Sequence, residues 1–248
     1  MHLFCLHHAG GTTASFAGWR FDGMHVTKLA YRGKNFRSIG GAAAAMAERI
    51  AGSQSGQLAL YGHSMGAVLA FEAALRLQGT GRVVHVFLAA ARPPSGMYDA
   101  GAAAAAASGA RSGTAQSGTS PSGLARSVAA LPGASPSVAA LAELVLSTTA
   151  LSERAREVLL EDLALLESYP GRLPARQLEV PATVLYSSDD PVVTASESLR
   201  WADWCAQKPR LIEVVGGGHL FHVGNAKVRA IVATTLSAEA THDTHAPL

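Results

Sequence analysis

Short apolar runs that alternate with helix-like segments constrain the fold of this 248-residue chain more than any other feature. The apolar runs lie at 3–6, 26–31, 58–61, 83–90, 182–186 and 211–215. The helix-like segments lie at 42–51, 67–77, 196–205 and 227–236. Strands that alternate with helices predict a parallel sheet covered on both faces, and continuous apolar runs are typical of such buried strands. The sequence therefore predicts an α/β fold with a mostly parallel sheet.

One long stretch interrupts this alternation between the fourth and fifth apolar runs. Residues 93–125 are mostly Ala, Gly, Ser and Thr, with Asp99 and Arg111 as the only charges after Pro94. A helical pattern of leucines returns within 130–167. Segments this long inside compact domains are often lids or binding elements. We therefore expect a core of residues 1–92 and 173–248, and a lid insertion at 93–172 that begins with a flexible connector.

Charge and composition argue against several function classes. The 20 basic and 18 acidic residues give a formal net charge of +2, too little to hold a nucleic-acid backbone. No apolar run approaches the roughly 18 residues of a membrane span, and the N-terminus lacks the features of a signal peptide. Cys5 and Cys205 provide neither a disulfide framework nor metal-ligand spacing. We expect a cytoplasmic protein without nucleic-acid or membrane partners and without a metal or cofactor.

The pentapeptide GHSMG at 62–66 matches the nucleophile-elbow pattern G-x-S-x-G. In such an elbow the serine lies on a strained turn between a strand and a helix, and its small neighbours avoid a steric clash. The local context fits, because an apolar run precedes the motif and a helix-like segment follows it. The N-terminus of that helix also favours negative charge beside the serine. The sequence therefore predicts Ser64 as a nucleophile.

A serine hydroxyl needs a base, and in this kind of site a carboxylate and then a histidine follow the serine along the chain. Asp189 and Asp190 follow the fifth apolar run, and His219 follows the sixth. Both runs should end at the sheet edge that carries Ser64, which is where ligands bind in open α/β sheets. We expect His219 to be the base and Asp190 its partner. Asp189 is the alternative acid, less favoured because Asp190 directly precedes a proline, and His222 is the alternative base.

An acyl-transfer site also needs donors for the oxyanion. The residue after the nucleophile supplies one backbone N–H, which here is that of Met65. The second donor should come from the loop after the first strand, HHAGG at 7–11, and we expect it to be the N–H of Ala9. An ordinary Gly-Gly turn is the alternative interpretation of this loop.

Five motifs in order make the chain resemble the type II thioesterases, stand-alone α/β-hydrolases that accompany nonribosomal peptide and polyketide synthases. The motifs are LFCLHHAGG at 3–11, YGHSMGA at 61–67, a lid region with LPGASP at 131–136, LEDL at 160–163 and SY at 168–169, DP at 190–191, and GGHLF at 217–221. The resemblance covers nearly the whole chain except the connector. His7 departs from it, because that family usually has proline at this position.

The resemblance implies hydrolysis of acyl or aminoacyl thioesters on the phosphopantetheine arms of acyl and peptidyl carrier proteins. Such enzymes remove aberrant or stalled groups during secondary-metabolite biosynthesis. Carried over to this sequence, Ser64 is the nucleophile, His219 the base and then the acid, and Asp190 the residue that orients His219. Because carrier proteins of these synthases are generally acidic, basic residues Arg32, Lys34 and Arg37 after the second predicted strand are candidates for carrier binding; an ordinary solvated loop is the alternative.

Two other classes of function remain open from the sequence. Ser64, His219 and Asp190 would equally serve an esterase, an acyltransferase or an offloading cyclase. The group that accepts the acyl chain depends on the shape of the lid and on access of water. A hydrolase-fold binding protein without activity is the second alternative, and the retained Ser64, Asp190 and His219 argue against it.

Overall fold

The computed structural model describes residues 1–31, 36–94, 152–169 and 176–242. Within them, six strands form one sheet in the order β2-β1-β3-β4-β5-β6, and every neighbouring pair is parallel. The strands are β1 (His2–Leu6), β2 (His25–Leu29), β3 (Leu58–His63), β4 (Val83–Ala89), β5 (Ala182–Tyr186) and β6 (Arg210–Glu213). The predicted parallel sheet is therefore confirmed.

Five α-helices accompany the sheet in the described part of the chain. They are α1 (Ile39–Ala51), α2 (Met65–Leu77), α3 (Glu153–Glu167), α4 (Ala195–Leu199) and α5 (Ala226–His242). The single helix expected over 196–205 is wrong in detail, because α4 ends at Leu199 and a 3₁₀ turn, Arg200–Trp204, follows. A 3₁₀ turn brings residues three apart onto one face, and here it buries both Trp201 and Trp204 completely.

Alternate side chains of the central strands enter two separate cores, one on each face of the sheet. Leu58 and Leu60 of β3 join a core formed with α1, α2 and α3, and Ala59 and Tyr61 join a core formed with α5. This alternation follows from the two-residue repeat of a strand. Helices therefore cover both faces, as the sequence predicts.

The expected lid insertion is only partly described. Helix α3 lies between β4 and β5 in the chain, and its apolar side packs on the core next to α1 and α2. The connector from residue 95 onward, the motif at 131–136, and Arg32 and Lys34 all lie outside the described residues. Among the residues that the structure does describe, no helix is long and apolar enough to cross a membrane.

Candidate active site

Ser64 lies on the turn between β3 and α2, with backbone angles of φ 55° and ψ −121°. A positive φ is uncommon for a residue with a side chain and marks a strained position. The turn depends on its flanking glycines: a Cβ on Gly62 would lie 2.2 Å from the carbonyl oxygen of Gly66, and one on Gly66 would lie 2.2 Å from that of Leu6. This close approach to neighbouring backbone explains the glycines of the GHSMG motif.

The structure brings Ser64, His219 and Asp190 together from three different strand ends. Nε2 of His219 lies 2.9 Å from Oγ of Ser64, and Nδ1 lies 2.9 Å and 3.1 Å from the two carboxylate oxygens of Asp190. Asp190 is buried and also accepts hydrogen bonds from the backbone N–H groups of Val192 and Val193, at 2.8 and 3.0 Å. A continuous hydrogen-bonded chain therefore links the serine hydroxyl to a fixed carboxylate.

The two alternatives considered for these roles lie elsewhere. Asp189 is exposed and accepts hydrogen bonds from the Ser187 hydroxyl and, at 3.4 Å, from the Gly218 N–H. The bond from Ser187 is the main cause that lowers the pKa of Asp189. His222 is fully buried, and its ring stacks on that of His63 at 3.8 Å between centroids. Burial lowers the pKa of His222 to about 2, so its ring is neutral.

The loop expected to hold the oxyanion follows β1 and is tied to two other elements. The hydroxyl of Tyr31 donates to the carbonyl oxygen of His8 at 3.0 Å, and the backbone N–H of Gly10 donates to Asp162 of α3 at 2.7 Å. Ala9 is half-buried in this loop. Met65 begins α2, so its N–H is among the first N–H groups of that helix, which have no carbonyl partner within the helix.

Asp162 and Tyr31 support the loop, and neither was singled out as a functional residue from the sequence. Asp162 is buried beside Leu163 on the apolar side of α3. Two signals could have drawn attention to Asp162. It belongs to the LEDL segment at 160–163, and it is an acidic residue at an apolar position of a helix, where a buried carboxylate needs partners.

A small, open cleft lies beside Ser64. Its described lining is mainly apolar and includes Val68, Leu166, Val192 and Val193. Arg92 also borders the cleft, but Nε donates to Glu197 at 2.7 Å and Nη2 to the carbonyl oxygen of Val192. The cleft therefore offers an apolar surface next to the hydroxyl.

The structure describes only one of the three candidate carrier-binding residues, Arg37, whose side chain is exposed. Among the described residues, no group of three or more His, Cys, Asp or Glu side chains is placed to hold a metal ion.

A parallel sheet with a serine on a sharp strand-to-helix turn, and a carboxylate and a histidine at the same edge, defines the class of α/β-hydrolases. The chain matches the Thioesterase domain family over residues 1–238, and it belongs to that family. The family expected from the five motifs is therefore confirmed.

Several known proteins are similar to the chain. A probable cadicidin biosynthesis thioesterase of Streptomyces griseus is 29% identical over 231 residues, which cover 89% of this chain; the chain spans 58% of that relative's length. RedJ, a thioesterase of the prodiginine pathway in Streptomyces coelicolor, has a similar structure (TM-score 0.66, 25% identity, 94% of this chain and 89% of RedJ). ClbQ of the colibactin NRPS/PKS pathway shares the fold (TM-score 0.68, 21% identity, 97% and 98% of the two chains).

Proposed function

We propose that the chain is a stand-alone, type II thioesterase that hydrolyses acyl or aminoacyl thioesters on phosphopantetheinyl carrier proteins. Its role would be to remove aberrant or stalled groups during secondary-metabolite biosynthesis. The observation that carries the proposal is the hydrogen-bonded chain from Ser64 through His219 to Asp190 in a member of the Thioesterase domain family. The pathways named for the similar proteins, which make cadicidin, prodiginine and colibactin, support this substrate class.

The reaction begins with attack of Ser64 Oγ on the thioester carbonyl carbon. As the C–O bond forms, Nε2 of His219, 2.9 Å away, takes the hydroxyl proton. Asp190 keeps Nδ1 protonated and stabilises the imidazolium that results, because its carboxylate accepts from that nitrogen. The tetrahedral intermediate then collapses, the C–S bond breaks, and His219 returns the proton to the departing phosphopantetheine sulfur.

The second half of the reaction repeats these steps with water as the nucleophile. Water attacks the acyl carbon on Ser64 and loses a proton to His219. The ester bond breaks, Ser64 Oγ recovers the proton, and the free acid leaves. In both halves we assign the developing oxyanion to the N–H groups of Met65 and Ala9, where one such donor typically contributes about 2.7–4 kcal/mol.

The cleft beside Ser64 is proposed to hold the acyl chain, because its described lining is mainly apolar. Arg32, Lys34 and Arg37 are proposed to bind the acidic carrier protein, and the exposed Arg37 suits such a contact. The lid insertion at 93–172 and the cytoplasmic location stay predictions.

The decisive experiment measures release of free acid from an acyl-phosphopantetheinyl carrier protein. Wild type is compared with Ser64→Ala, and the carrier-bound acyl group with the same group on a simple thioester. Release that needs Ser64 and favours the carrier-bound form is the expected result. Equal release from simple oxygen esters would indicate a general esterase, and consumption without free acid would indicate acyl transfer or cyclisation. A folded protein that consumes nothing and does not react with a fluorophosphonate would indicate a binding protein.

A further inference from the structure

His63, the residue of the GHSMG motif that directly precedes the serine, is fully buried at the end of β3. Its Nε2 lies 2.6 Å from the backbone carbonyl oxygen of His219. A carbonyl oxygen can only accept a hydrogen bond, so Nε2 of His63 carries the proton and donates it. His63, next to the nucleophile, is thus hydrogen-bonded to the main chain of His219, the proposed base.

The loop that carries His219 needs such an anchor, because its preceding backbone has little conformational preference of its own. Gly216, Gly217 and Gly218 all have positive φ values of 77°, 92° and 54°, and glycine adopts many backbone conformations at similar cost. Directly before His219 in the chain, the N–H of Gly218 donates a hydrogen bond to the carboxylate of Asp189 at 3.4 Å. Two residues after His219, the ring of Phe221 packs edge-on against the ring of His63, with 5.0 Å between centroids.

The surroundings of His63 keep its ring neutral and its orientation fixed. Burial is the largest cause that lowers its pKa well below the ordinary value, and the nearby rings of His222, His219 and His8 lower it further. The stacked ring of His222 and the edge of Phe221 confine the imidazole from two sides. The Nε2–H group is therefore held where it meets the His219 carbonyl.

We propose that His63 is a positioning residue, whose Nε2–H fixes the main chain of His219 so that the side chain of His219 reaches Ser64. The inference rests on the proposed function, because it assumes that His219 takes the serine proton. Side chain and carbonyl of His219 share one Cα, so a shift of the carbonyl moves Nε2 relative to Ser64 Oγ. A misplacement of about 1 Å can cost about 100-fold in rate.

The test compares His63→Phe with His63→Gln. Phenylalanine keeps a planar ring of similar size between Phe221 and His222 but has no donor, whereas the glutamine amide places an N–H near the position of Nε2. We expect His63→Phe to lower kcat for a simple thioester at least tenfold with little change in KM, and to slow fluorophosphonate labelling of Ser64 by a similar factor. His63→Gln should recover most of both rates, which a loss of packing alone would not explain.

His222→Phe is the matched control, because phenylalanine keeps a ring stacked on His63, and neither ring nitrogen of His222 has a hydrogen-bond partner in the described structure. At neutral pH its rates should stay within about twofold of wild type. The inference is overturned if His63→Phe behaves like His222→Phe, if His63→Gln is as slow as His63→Phe, or if the lost rate only follows a fall in Tm. Wild type that neither labels nor hydrolyses a thioester would instead overturn the proposed function.

Discussion

The carboxylate of Asp162 on α3 accepts a hydrogen bond from the backbone N–H of Gly10, at 2.7 Å, and so ties this helix to the loop after β1. The hydroxyl of Tyr31 lies 3.4 Å from the same carboxylate oxygen. One turn earlier on the helix, Leu159 packs so tightly that a Cβ on Gly10 would lie 3.1 Å from its Cδ1. Helix α3 is therefore held on this loop by a polar and an apolar contact.

Replacement of Asp162 should mainly reduce stability. Asp162→Ala leaves the Gly10 N–H without its acceptor, and we expect the free energy of unfolding to fall by about 2–3 kcal/mol, typical for loss of a bond to a buried charge. Asp162→Asn should cost less, because the amide oxygen can still accept. Urea unfolding measures both. The control is Glu161→Ala on the exposed side of α3, which should change stability by less than about 0.5 kcal/mol; equal effects at both positions would contradict the assigned contact.

The two neighbouring aspartates should respond very differently to the same change. Asp190→Asn removes the carboxylate from His219 and is expected to lower kcat by about 10⁴-fold, as loss of such an orienting group does elsewhere. Asp189→Asn changes an exposed carboxylate that accepts hydrogen bonds from Ser187 and the Gly218 N–H and does not contact His219 through a hydrogen bond in the described structure, and we expect less than a tenfold loss. Steady-state kinetics on one thioester compares the two. A larger loss for Asp189→Asn would reverse the assignment of the acid.

The glycines of the elbow should tolerate no side chain. Gly62→Ala would place a Cβ 2.2 Å from the Gly66 carbonyl oxygen, and we expect it to cost about 3 kcal/mol or more, the upper end for overpacking. Gly79→Ala is a suitable control, since a Cβ there meets nothing within 4 Å. That variant should be neutral or more stable by up to about 1 kcal/mol. Thermal and urea unfolding test the pair, and a stable Gly62→Ala protein would contradict the close approach.

Acid should destabilise the protein partly through His222. Burial lowers the pKa of His222 to about 2, against an ordinary value of 6.5. The imidazole of His222 therefore binds a proton more readily in the unfolded chain than in the folded one. Its contribution to the free energy of unfolding is complete above about pH 6.5 and declines as the pH falls below that value. His222→Phe should remove this decline, which amounts to about 2–3 kcal/mol by pH 4.5. Urea unfolding of both proteins at pH 7 and 4.5 measures the difference; parallel pH curves would argue against a buried neutral ring.

The candidate carrier-binding residues should affect only carrier-bound substrates. Reversal of Arg32, Lys34 and Arg37 to Glu is expected to lower kcat/KM for an acyl carrier protein about tenfold, and less at high salt, because salt screens exposed charges. The same acyl group on a simple thioester should react at the wild-type rate. Lys208→Glu is the control. This exposed lysine lies just before the N-terminal end of β6, whereas Ser64 lies at the carboxyl ends of the strands. Equal losses on both substrates would point to a disturbed site instead.

Much of the fold could be predicted because its signals are local. Buried parallel strands read as continuous apolar runs, and the glycine pattern around Ser64 reflects a backbone contact that only glycine permits. Strand ends were less predictable. β2 ends at Leu29, two residues before the predicted end of the run, and Tyr31 contacts the loop after β1 rather than continuing the strand. The division of 196–205 into α4 and a 3₁₀ turn depends on how Trp201 and Trp204 pack, which no local pattern specifies.

The proposed catalytic residues follow chain order and strand ends, so sequence alone could suggest them. Their supports could not be found that way. Asp162 meets Gly10 across 152 residues of sequence, and His63 meets the His219 carbonyl across 156. Such contacts depend on the packing of distant elements and leave no periodicity in the chain.

The pairing of β4 with β5 has a consequence for the order in which the molecule assembles. These strands are neighbours in the sheet, yet residues 90–181 lie between them in the chain. The four strands up to β4 are joined by shorter connections, so the β4–β5 pair is the most non-local pairing in the described sheet, and non-local pairings slow folding. Ser64 precedes this segment in the chain, whereas Asp190 and His219 follow it, so the hydrogen-bonded site is complete only when the segment has closed.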